Sequence, residues 1–110
     1  MLELEPNESL EAATSRILEA LEPQIALVKN PPPGEINQTV FVRAQDEEAA
    51  QRLDVHLEPV ARRITSEANG AGGWAAHLAG QNRVNITSNW PSGMDDRRIV
   101  EVTVARVPLP

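Results

Sequence analysis

The chain has 110 residues, enough for one domain and too few for a second core. Its apolar fraction is 41%, but its aromatic fraction is 3%, so the core has to be built from Leu, Ile, Val and Ala, with Trp74 and Trp90 standing out. A net charge of −6 argues against non-specific nucleic-acid binding, and the lack of Cys excludes a disulfide framework, a thiolate zinc site and a thiol nucleophile together.

The acidic start, Met1-Leu2-Glu3-Leu4-Glu5, stands where a secretory signal would carry basic residues, so a cytoplasmic protein is expected. Asn7 or Ser9 then caps a first helix with Glu8 and Glu11 near its start, where negative charge suits the helix dipole. Leu10, Ala13, Ile17, Leu21, Ile25 and Val28 recur at helical spacing. Pro23 is expected to kink or restart that helix, and Ile25-Ala26-Leu27-Val28 reads equally as its continuation or as a short strand. Residues 31–35, with three consecutive prolines and Gly34, form an extended connection.

Gln38–Ala44 reads as a strand with apolar groups on both faces, which fits a central position. Asp46 caps a second helix, whose stripe is Leu53, Leu57, Val60 and Ile64 and which contains Pro59. Glu11, Ala13, Arg16, Leu21, Glu22 and Pro23 recur 36 positions later as Glu47, Ala49, Arg52, Leu57, Glu58 and Pro59, which reads either as a duplicated helix–strand unit or, in windows this rich in Glu, Ala and Leu, as coincidence. A Gly-rich loop at 69–73 follows, then a short helical turn over 74–79. Arg83–Trp90 alternates, with Val84, Ile86, Ser88 and Trp90 on one face and Asn85, Thr87 and Asn89 on the other. A turn-rich loop, 91–96, leads into Arg98–Val107, which puts Val100, Val102 and Val104 on one face; 108–110 is a tail. The expected architecture is a single α+β domain over 1–110. Its order is helix-strand-helix-strand-strand, with a three-stranded, mainly antiparallel sheet and two helices packed on one face.

The search for chemistry finds isolated residues. His56 has no acid at helical ligand spacing and the acid nearest to His77 in sequence, Glu67, is ten residues away, so neither a metal nor a cofactor is expected. Asp95 and Asp96 are paired carboxylates, which can do acid–base work when their surroundings split their pKa values, but Arg97 and Arg98 follow directly and a solvated charged turn explains them. No catalytic residues are assigned, and the chain reads as a non-enzyme. Trp74, Trp90, Arg62, Arg63, Arg97 and Arg98 are the candidate protein-interface residues, because Trp and Arg dominate interface energetics. The other reading of both tryptophans is that they cap a core poor in aromatics. Residues 1–60 hold twelve acids and four bases, 61–110 four acids and six bases; the ordinary explanation is two solvated faces that happen to differ, and the asymmetry also suits head-to-tail contact between copies or docking to a charged partner.

The segment Val60-Ala61-Arg62-Arg63-Ile64-Thr65-Ser66-Glu67-Ala68-Asn69, the Gly-rich break, and the strands Asn82–Thr87 and Arg97–Val104 cover roughly the C-terminal half. In that half the chain resembles the small neck proteins of tailed phages, the head–tail connector and tail-completion subunits. The resemblance implies a structural role, ring assembly in the virion neck, and protein partners with neither nucleic-acid specificity nor a membrane. A small cytoplasmic regulatory or immunity-type protein that binds one partner is the alternative.

Overall fold

Ahead of the first helix the chain forms a two-residue strand not expected from the sequence. The computed structural model describes residues 1–29, 36–68 and 82–108. Its elements are β1 (Leu2–Glu3), α1 (Leu10–Lys29), β2 (Ile36–Arg43), α2 (Glu47–Ala68), β3 (Asn82–Asn89) and β4 (Ile99–Pro108). They form one sheet in the order β1-β2-β4-β3. β1 runs parallel to β2, with Leu2 opposite Val42 and Glu3 opposite Arg43. β4 lies antiparallel to both β2 and β3. The α+β class stands, but the sheet is four-stranded and mixed rather than three-stranded. Two residues are too few for alternation to announce a strand, and α1 supplies the crossover that a parallel pair requires.

Both helix starts follow from capping. Ser9 Oγ accepts the Ala12 N–H at 3.1 Å, and Asp46 Oδ1 accepts the Ala49 N–H at 2.7 Å. Neither proline breaks its helix. Pro23 lies inside α1, which runs on to Lys29, so residues 25–28 are helical; Pro59 lies inside α2. Both prolines are exposed, as are Glu19 and Val55 four residues earlier. The carbonyls that lose their helical partner therefore face solvent, where water satisfies them.

The core lies between the helices and one sheet face. Ala13, Ile17 and Leu21 of α1 and Ala50, Leu53, Leu57 and Ala61 of α2 pack with Val42, Ile86, Val100, Val102 and Val104. Alanines at four of these and neighbouring buried positions (Ala13, Ala44, Ala50, Ala61) allow close approach where bulky aromatics are lacking. Thr14, 8% exposed, satisfies its hydroxyl by donating to the Leu10 carbonyl at 2.7 Å. The other face carries Thr39, Phe41, Asn85, Thr87, Asn89, Glu101 and Thr103, none of them fully buried, with Thr39 and Thr103 joined through their hydroxyls at 3.0 Å. Among the described residues no helix is long and apolar enough to cross a membrane. The Pro-rich connection 31–35, the Gly-rich loop 69–73, the 74–79 turn, Trp74, His77 and residues 109–110 lie outside the described residues. Pro108, expected in the tail, is the last residue of β4.

Candidate functional site

Strand register gathers charged side chains at one end of the sheet. Arg43 of β2 stands beside Glu3 of β1 and opposite Ile99 at the start of β4. Its Nη1 donates to Glu3 Oε1 at 2.5 Å. Its Nε lies 3.4 Å from Asp96 Oδ2, an ion-pair distance without hydrogen-bond geometry. Arg98 grips the same carboxylate by a fork, Nε to Oδ1 at 2.9 Å and Nη2 to Oδ2 at 2.7 Å, and its backbone N–H adds a bond to Oδ1 at 2.9 Å. The Arg98 side-chain bond first, then the backbone bond, lowers the Asp96 pKa from 3.8 to about 2, and the Arg98 pKa is raised in turn by Asp96. Asp96 is therefore a fixed anion that ties the β3–β4 loop to Arg43 of β2, which in turn holds Glu3 of β1. Asp95, its sequence neighbour, is exposed.

Trp90 sits beside this network. It packs half-buried against the core, and its indole Nε1 donates to the Arg97 carbonyl at 2.8 Å. The Arg97 guanidinium lies 5.3 Å from the ring centroid, within cation–π range, and its Nε is 3.5 Å from Glu47 Oε2 at the start of α2. Trp90 thus serves as a core cap held by the loop it opens. Arg97, Arg98 and Trp90 come together as one cluster. Arg62 and Arg63 do not join it: Arg62 pairs with Glu58 one turn back, Arg63 is exposed, and both lie roughly 22 Å along α2 from Glu47 at 1.5 Å per residue. The Arg43–Asp96 and Arg97–Glu47 pairs also join the acidic and basic halves of the sequence within one chain.

The two sheet margins differ. The Leu4 N–H donates to the Arg43 carbonyl at 3.0 Å, so odd-numbered residues of β2 direct their backbone groups toward β1. β1 pairs only with residues 42 and 43. The N–H of Phe41 and both backbone groups of Thr39 and Asn37 consequently face outward, with no strand alongside among the described residues. At the opposite margin α2 protects β3, where Thr65 Oγ1 accepts the Ile86 N–H at 3.0 Å.

A cleft of about 420 Å³ opens where both helices begin, with Leu4, Glu8, Leu10, Asp46, Ala49 and Leu53 in its wall. Gln45 Nε2 donates to the Leu4 carbonyl at 2.8 Å and fixes the two flanking segments to each other. A shallower hollow of about 370 Å³ shares Leu10 and Arg52 with the cleft and carries Val55 and half-buried His56. Among the described residues no three His, Cys, Asp or Glu side chains are grouped to hold a metal ion.

No family model, no curated protein and no solved structure matches the chain. Geometry therefore carries the functional argument.

Sequence reasoning passed over Arg43, Glu3, Glu8 and Thr65. Arg43 and Thr65 act across strand and helix–strand contacts distant in sequence and leave no local signal. Glu8 was legible only as a helix-start acid, although its spacing from Glu5 also permits the reciprocal turn seen here, Glu5 N–H to Glu8 Oε1 at 2.9 Å and Glu8 N–H to the Glu5 carbonyl at 3.1 Å.

Proposed function

We propose that this chain is a non-enzymatic assembly subunit that joins copies of itself and neighbouring proteins, as a head–tail connector or tail-completion protein of a tailed-phage neck. The observation that supports this reading most is the margin of β2. A stretch of outward backbone donors and acceptors beside a two-residue β1 is a template for one more strand. The opposite margin is protected by Thr65, so the two edges are unlike, and unlike surfaces suit the head-to-tail contacts that close into rings. α2 is polarised in the same sense, with Glu47 and Glu48 in its first turn and exposed Arg62 and Arg63 far along it. In this role Trp90 and its loop set the shape of one end, Arg62 and Arg63 provide basic surface, and Arg97 and Arg98 are chiefly engaged within the subunit. Such a protein is made in the host cytoplasm and ends in the virion, with protein partners, no nucleic-acid specificity and no membrane.

The test is native mass against concentration, at low and high salt, for the wild type, Thr39→Pro and Thr39→Val. The Thr39 N–H points outward, so proline removes a donor that no strand among the described residues uses. Valine controls for loss of the Thr39–Thr103 hydroxyl contact. A multimer of fixed order that loosens in salt, survives in the valine variant and is lost in the proline variant supports the proposal. A wild type that stays monomeric under every condition rejects self-assembly and favours a regulatory module with one partner.

A further inference from the structure

The pairing of β2 with β4 runs unbroken from Ile36 opposite Arg106 to Arg43 opposite Ile99, so no bulge re-aims the strand along its length. The alternation set by the Leu4–Arg43 bond therefore holds throughout, and Asn37 and Thr39 each present an N–H and a carbonyl to the open side. The stretch Ile36-Asn37-Gln38-Thr39-Val40-Phe41 has no charged residue and no proline, two of the devices that keep sheet edges from pairing. The partner that matches donors and acceptors at this spacing is an extended strand.

Only one margin of a second copy offers such a strand among the described residues. Its β3 margin is covered by α2 through Thr65, and its β1 is two residues long. Its β2 margin is open in the same way, and two copies of one edge pair symmetrically when they run antiparallel. We propose that β2 pairs with β2 of a second copy about a two-fold axis at Gln38, so that one sheet continues through both chains. This names the incoming strand and rests on the reading of the β2 margin given above. It leaves the head-to-tail contact to the charged surface of α2.

Strand geometry sets the register. Outward residues pair with outward residues, so odd-numbered positions stand opposite odd-numbered ones. A centre at Gln38 sets Asn37 against Thr39 of the second copy and Thr39 against its Asn37. Each such pair exchanges two backbone bonds, which uses the N–H and the carbonyl of both residues in both chains. A centre at Thr39 would bring Ile36 of the second copy opposite Val42, where Leu2 of β1 already lies. A centre at Asn37 would leave Thr39 unmatched, because β2 begins at Ile36. Gln38 is exposed and meets its own counterpart across the axis, at a position where facing side chains come close.

The experiment exploits the absence of cysteine from the chain. Gln38→Cys is oxidised mildly beside Gln51→Cys, an exposed site on α2, and formation of the linked dimer is timed. Gln38→Cys should link at least about ten-fold faster, because pairing raises the effective concentration of one sulfur at the other. Gln38→Glu and Gln38→Lys alter an exposed side chain and set like charges across the axis. At low salt each should weaken the dimer about five-fold, and mixing the two variants should restore it. The wild-type dimer should not loosen in salt, since the paired edge is uncharged, whereas a head-to-tail multimer should. Equal linking rates for the two cysteine variants, or a dimer that both charged variants leave unchanged, overturns the proposal. A salt-labile multimer alongside either result keeps the assembly role and rejects only this strand. A dimer that depends on Gln38 and never grows further does the reverse, and a strict monomer rejects both.

Discussion

Thr65 joins α2 to the margin of β3 by accepting a backbone N–H, and replacing it with valine removes that bond. The swap keeps the β-branched shape and removes the acceptor 3.0 Å from the Ile86 N–H. The site is part-buried, so the donor is left partly unsatisfied in a region where water reaches only in part. A net hydrogen bond contributes about 1 kcal/mol, and a stranded donor up to about 3 kcal/mol at full burial. Partial burial places Thr65→Val near the lower figure, about 1 to 1.5 kcal/mol, or about 4 to 6 °C in melting temperature for a domain of this size. The assays are urea unfolding and amide exchange at Ile86. Thr65→Ser keeps the acceptor and should recover most of the protection. If Thr65→Val leaves both the urea midpoint and Ile86 exchange at wild-type values, α2 does not hold this edge and the account of two unlike margins fails.

Two further outcomes follow from the core and the ion network. Leu53 is 0% exposed and touches both the core and the cleft, so Leu53→Ala should cost about 3 kcal/mol, read as a lower urea midpoint at unchanged slope; a loss below about 1 kcal/mol would mean the site collapses onto the smaller residue. Asp96 has its pKa lowered from 3.8 to about 2, so the folded state holds its proton less tightly than the unfolded state does. Its contribution is therefore fully present above about pH 4 and is lost as pH falls through 2. The stability gap between wild type and Asp96→Asn should close across that window, and a gap independent of pH from 5 to 2 would refute the network.

The elements that the sequence announced are those whose signals are local. Ser9 and Asp46 cap where their spacing to the first apolar residues says they should, and the Val100, Val102 and Val104 alternation survives as buried core. β2 stands between β1 and β4 in the sheet order, but β1 flanks only Val42 and Arg43, so the central position read from its apolar faces holds for those two residues and not for the rest of the strand. β1 was missed because Leu2 and Glu3 acquire strand geometry only from Val42 and Arg43 far along the chain. Pro23 left 25–28 open between helix and strand because a proline's cost depends on which way the orphaned carbonyl faces, and periodicity does not reveal that; α1 runs on through it to Lys29. Of the interface candidates, Trp90, Arg97 and Arg98 lie together in contacts made within the chain. Their joining into one cluster is a matter of strand register, and so is the separation of Arg62 and Arg63 from it. The cleft was not legible at all, since it is enclosed by two helix starts brought together only in the folded chain.

The brevity of β1 also sets an order of events. Residues 2 to 4 find their partners at 42 and 43 by closing a long loop, and they gain only a few backbone bonds and the Glu3–Arg43 pair for it. The β3–β4 hairpin, with α2 laid across its edge, has far more pairing for a shorter closure. The hairpin and α2 are therefore the natural nucleus, and β1 docks late, onto a β2 already in place. In the native ensemble the same segment is the first to let go. Each time it does, the open margin of β2 lengthens by two residues, and the surface on which another strand can grow is at its largest just before the chain begins to unfold.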